Sequence, residues 1–155
     1  MSLNDLIVDQ NKPAMYISEN NKCAGFDDYD VAKDSGRAYC IETLPHVIPV
    51  DVDAEHIEHV DTFRETIRAY GDPYIEVMSG GPDSSNRHFF IHVPDEKRRN
   101  AITTILRNIC GAKPVRTGQK IRPPHTPHRN NVDVSTPVTE YTADDFITWV
   151  TGVMP

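Results

Sequence analysis

Val47-Ile48-Pro49-Val50-Asp51-Val52-Asp53 is the stretch whose reading decides the fold. Its β-branched, apolar lead reads as a buried strand. Its end carries two acids at i and i+2, which leave a strand on the same side because successive side chains alternate faces. Carboxylates placed where a buried strand emerges can meet both a cation and water, a geometry suited to a divalent metal. Working outward, Ala54 to Tyr70 sets Ile57, Val60, Phe63, Ile67 and Tyr70 three or four residues apart, which predicts an amphipathic helix ended by Gly71 and Pro73. Tyr74 to Met78 reads as a strand, Ser79-Gly80-Gly81-Pro82-Asp83 as a turn, and His88 to Val93 as the returning strand. Pro94-Asp95-Glu96 opens a second helix with Ile102, Ile105, Leu106 and Ile109 on its apolar face and Gly111 as its stop.

Upstream, Arg37 to Glu42 reads as a first strand. Residues 1 to about 34 are polar and broken by Asn20-Asn21, Gly25 and Asp27-Asp28, so only short elements are expected there. Downstream, Val115 to Ile121 reads as a strand pair around Thr117-Gly118. Arg122 to Arg129 must be an ordered loop or extended segment, because its three prolines exclude helix and central strand. A last helix spans Thr142 to Val150, capped at Thr142. The order β-β-α-β-β-α-β-(β)-α predicts an α+β fold with a mostly antiparallel sheet, one domain over residues 1–155.

A net charge of −7 speaks against nucleic acid only until its distribution is seen. Lys97 to Arg129 holds nine of the 16 basic residues and no acid, leaving seven basic against 23 acidic residues elsewhere. Such asymmetry suits a phosphate-binding face on an acidic body, since each phosphate contact needs a local cation rather than a basic whole. No apolar run is long enough to span a membrane and no secretory signal is evident, so a cytoplasmic protein is expected. Three cysteines without a CxxC pair argue against a disulfide framework or a zinc ribbon.

Asp51 and Asp53 are the first candidates for chemistry, as ligands of magnesium or manganese in nucleotidyl transfer. His88 follows a glycine-rich turn, so its imidazole can reach a phosphate while Gly80 and Gly81 let backbone N–H groups approach the same anion. His92 shares His88's strand face but sits beside Phe89-Phe90-Ile91 and reads as structural. Lys120, Arg122, His125, Thr126, His128 and Arg129 crowd into ten residues stiffened by prolines, an arrangement suited to a triphosphate or a nucleic-acid backbone.

The order of Asp-x-Asp at a strand end, Ser79-Gly80-Gly81 with Arg87-His88 leading into an apolar strand, and Ile121-Arg122-Pro123-Pro124-His125-Thr126-Pro127-His128-Arg129 resembles the primase-polymerase domain of the archaeo-eukaryotic primase superfamily, found in phage and plasmid replication proteins. The resemblance covers about residues 37–130. It implies an RRM-like sheet with packed helices, and a metal-dependent DNA primase and polymerase acting on nucleoside triphosphates and a single-stranded DNA template. Asp51 and Asp53 take the metal-binding acids' place. Ser79, Gly80, His88, Lys120, Arg122, Thr126 and His128 take that of the nucleotide contacts, with Lys97, Arg98, Arg99 and Arg129 on the DNA. A replicative helicase, on the same polypeptide or another, and a bacterial host cytoplasm follow from the same likeness. One position departs: Pro114 stands where the family's third acid opens a strand, leaving Glu76 and Asp133 as substitutes. The alternative reading is a catalytically weakened module that binds nucleotide or single-stranded DNA.

Overall fold

The computed structural model describes residues 2–20, 22–52, 57–78, 86–109, 112–114, 119–126, 136–137 and 143–153. Asp53, Ser79, Gly80, His128, Arg129, Asp133 and the Val115–Gly118 stretch lie outside them. A 3-10 turn at Asn4–Leu6 precedes β1 (Ala14–Ile17), β2 (Cys23–Asp27), α1 (Tyr29–Lys33) and β3 (Tyr39–Cys40). Then come β4 (Val47–Val52), α2 (Ile57–Tyr70), β5 (Tyr74–Met78), β6 (Arg87–His92), α3 (Glu96–Leu106), β7 (Ala112–Pro114), β8 (Thr136–Pro137) and α4 (Ala143–Val153).

There are two antiparallel sheets where the sequence suggested one. The larger runs β7-β4-β6-β5-β8 and the smaller β2-β1-β3. Within the larger, β4-α2-β5-β6-α3-β7 is a β-α-β-β-α-β unit whose first strand lies between its fourth and third, the connectivity of the split β-α-β motif. β4, β5 and β6 come from the expected segments, with β4 and β6 in register from Val47↔His92 to Val52↔Arg87, whereas β7 lies ahead of the strand pair expected over Val115 to Ile121 and β8 is not among the expected strands. Pro49, which has no N–H to give, lies opposite Phe90 of β6, and the described β7 pairs start at Val50↔Pro114.

Alternation along the strands makes two cores. Ile48, Val50 and Val52 of β4 and Phe89 and Ile91 of β6 pack against Val60, Phe63 and Ile67 of α2 and Ile102 and Leu106 of α3. Ile105, expected on that face, is 42 % exposed, since Ile102 and Leu106 one turn apart already fill it. α2 ends at Gly71, whose φ of +79° only glycine adopts without strain, and Arg98 of α3 clamps the turn by bonding Asp72 and the Tyr70 carbonyl.

On the opposite face, Val47, Ile75, Val77 and Phe90 meet the first forty residues: Leu3, Leu6, Ile7, Val8, Ala14, Tyr16, Tyr29 and Tyr39 are all buried there. Phe146 and Val150 of α4 close this second core. The expected strand over Arg37 to Glu42 is only β3, and it belongs to the smaller sheet, with Ile41 bridging to Ile121 beyond it.

His92 is 1 % exposed, and neither ring nitrogen has a hydrogen-bond partner among the described residues. Its ring meets that of His46 edge-on, centroids 4.8 Å apart. Burial holds both imidazoles below the ordinary 6.5, aided by Arg99 at His46 and by His46 itself at His92, with Asp72 opposing. The unfolded chain therefore takes up protons that the native state refuses as the pH falls below 6.5, and stability is lost in that direction. Thermal unfolding is expected to move to lower temperature between neutral and mildly acid pH, and His92→Phe to shed part of that slope. Equal slopes in both proteins would rule His92 out as a source.

Candidate functional site

The β4–β6 register sets Asp51 directly opposite His88, on the face away from α2 and α3. The His88 side chain is 10 % exposed and that of Asp51 is 37 % exposed, so a nearly buried imidazole is paired with a carboxylate open to solvent. Nε2 of His88 lies 3.6 Å from Oδ1 of Asp51. On the other side of the ring, Nδ1 is 3.2 Å from the carbonyl oxygen of Arg122. A carbonyl can only accept, so this contact places a proton on Nδ1 and aims Nε2 at the carboxylate. An imidazole held by a backbone carbonyl at one nitrogen, with the other directed beside a carboxylate, is oriented to serve a cation or to give a proton to an anion.

Arg122 reaches this pair through its main-chain carbonyl, and Lys120 precedes it by two residues. The Lys120 ammonium is 3.5 Å from Oε2 of Glu42 and 5.8 Å from the ring centre of Phe26. Burial pushes the Cys40 thiol up to about 11 against the pull of Arg122 and Lys120, which locates both cations near β3. A thiol so shifted is a small apolar group rather than a nucleophile. No protein-family model, no characterised protein and no solved structure matches the chain.

Other expected site residues are placed elsewhere. Glu76 pairs with Phe89 in the ladder, on the α2 face, where it is 3 % exposed. Arg64 reaches it with Nε at 2.6 Å and Nη2 at 2.8 Å, and Arg87 with Nε at 3.2 Å. It is a buried structural carboxylate with the sheet between it and Asp51, not a substitute third acid. Thr126 is fully buried and its hydroxyl meets the Tyr39 phenol, so it serves the interior. β7 puts Lys113, rather than an acid, opposite Asp51 in the ladder, with Pro114 opposite Val50.

Lys97, Arg98 and Arg99 open α3 past the far end of β6, whose His92 is about 13 Å from His88 at the strand rise per residue. Arg98 is occupied with Asp72, and Arg99 donates to the carbonyls of Val93 and Pro94. The α3 part of the basic block is therefore committed to the α2–β5 turn and its own helix start rather than to Asp51. Among the described residues no group of three or more His, Cys, Asp or Glu side chains converges, and no helix is long and apolar enough to cross a membrane.

Proposed function

We propose that the chain is the catalytic domain of a metal-dependent DNA primase and polymerase, adding nucleotides from nucleoside triphosphates to a primer or first nucleotide on single-stranded DNA. One observation carries the reading: Asp51 and His88, drawn from two separate sequence motifs, face each other on one sheet surface, with the imidazole tied to the proline-flanked segment that is the third motif. The split β-α-β connectivity agrees with the RRM-like sheet that the resemblance implies.

For a divalent cation the described residues offer Asp51 with His88 Nε2 beside it, and the fit rests on that pair. Magnesium or manganese there would polarise phosphoryl oxygens and favour the deprotonated form of an attacking hydroxyl. Alternatively, with the metal held by carboxylate alone, the imidazolium form of His88, fixed by the Arg122 carbonyl, would present Nε2–H to a phosphate oxygen at no cost in reorientation. Arg122 would add positive charge nearby, while Lys120 is paired with Glu42.

Extension of a labelled primer on a single-stranded template, with manganese and with magnesium, tests the reading. His88→Asn is the informative variant, because its amide can still donate to the Arg122 carbonyl while Nε2 is gone. Extension by the parent protein and its loss in a folded His88→Asn protein are expected. A parent that binds triphosphate but extends nothing supports the binding module, a reading favoured by the placement of Glu76 away from Asp51.

A further inference from the structure

Phe26 is 58 % exposed, more than any other large apolar side chain among the described residues. It stands on β2, the edge of the smaller sheet, opposite Met15, which in turn lies opposite Cys40 of β3. Period-two alternation puts these three on one face, while the neighbouring row of Ala14, Tyr16 and Tyr39 is buried in the core. The outward row is thus an apolar strip ending in an open aromatic ring. Lys120 closes its side, with the ammonium 5.8 Å from the ring centre and 3.5 Å from Oε2 of its ion-pair partner Glu42. Two residues further on, the Arg122 carbonyl holds His88. The acid nearest in sequence, Asp27, accepts from the Tyr16 hydroxyl at 3.1 Å in the inner row.

An exposed ring beside a cation is poorly suited to a free nucleotide, whose sites enclose most of the ligand. It is well suited to single-stranded nucleic acid, where bases stack on open aromatic faces and phosphates run past nearby cations. We infer that Phe26 is a stacking platform for a base of single-stranded DNA, with Lys120 exchanging its Glu42 partner for the adjoining phosphate, so that the strand approaches His88 over the smaller sheet rather than along α3. This rests on the polymerase reading and supplies the template surface that Lys97, Arg98 and Arg99, at the far end of β6, do not provide.

The test is the anisotropy of a labelled oligothymidylate titrated with the parent chain and with Phe26→Ala, Phe26→Leu and Phe26→Tyr, alongside primer extension and sedimentation. Phe26→Ala and Phe26→Leu are expected to weaken binding by about 5- to 150-fold, the range for loss of one stacked base, and Phe26→Tyr to bind like the parent. Because the ring is exposed, all three should unfold at the parent's temperature. Unchanged affinity in Phe26→Ala, with a parent that binds and extends, overturns the platform and leaves the polymerase reading standing. The same holds if Phe26→Ala turns a dimer into a monomer without altering oligonucleotide affinity, which would make the strip a contact between copies. A parent that neither binds the oligonucleotide nor extends a primer removes both.

Discussion

Asp51→Asn is expected to reduce primer extension on the order of 10²–10³-fold, the several kcal/mol of charge stabilisation that a metal-holding carboxylate provides. The exchange keeps size and shape and removes only the charge beside His88 Nε2. The carboxylate is 37 % exposed and stands at a strand end, so the folded state has little invested in it. Unfolding free energy should change by no more than about 0.5 kcal/mol, as for other exposed positions. Rate and stability measured on the same preparation decide the matter. Full activity in Asp51→Asn would withdraw Asp51 from the chemistry, and with it the proposed reaction.

Glu76→Ala should do the reverse. Glu76 is 3 % exposed and joined to Arg64 and Arg87, whose side chains are 15 % and 11 % exposed. Removing the acid takes the shared carboxylate from two largely buried guanidinium groups, of which Arg64 keeps Asp61 at 2.7 Å, a loss of about 3–5 kcal/mol for breaking a buried ion pair from one side. In a chain of 155 residues that corresponds to a fall in melting temperature of about 6–20 °C. A change below about 1 kcal/mol in urea unfolding would show that water reaches the triad. Two acids on neighbouring segments of one sheet thus differ in consequence because they lie on opposite faces, one at the rim and one against a helix.

That contrast marks where sequence reading stops. The β4-to-α3 unit was legible because its strands are β-branched and its helices carry clean apolar spacing, so local preference and tertiary packing agree. The first forty residues were not, since Gly25, the asparagines and the acids mask segments whose apolar residues act only once three short strands are assembled. Ala14-Met15-Tyr16-Ile17 between Pro13 and Ser18-Glu19-Asn20 is the signal that was present, a β-rich run bounded by breakers. Asp51 and His88 were each legible as a site candidate because both sit on readable strands, but their pairing follows only from the β4–β6 register. The partner of His88 was not, because a backbone carbonyl leaves no mark on residue type. Phe26 was hidden for a related reason: exposure of an aromatic ring is a property of the assembled sheet.

The hold on His88 has an unusual genetic signature. Its anchor is the Arg122 main chain, so any amino acid at position 122 supplies the same oxygen, and a scan of side chains there would report charge alone. What aims the oxygen is the succession of Pro123 and Pro124, which confines Arg122 to an extended conformation and stiffens the segment beyond it. Two residues that contribute no donor and touch no substrate would then govern which nitrogen of the histidine bears its hydrogen. In a survey of inactivating mutations they would register as strongly as the acid and the imidazole, and would be misread as mere folding defects.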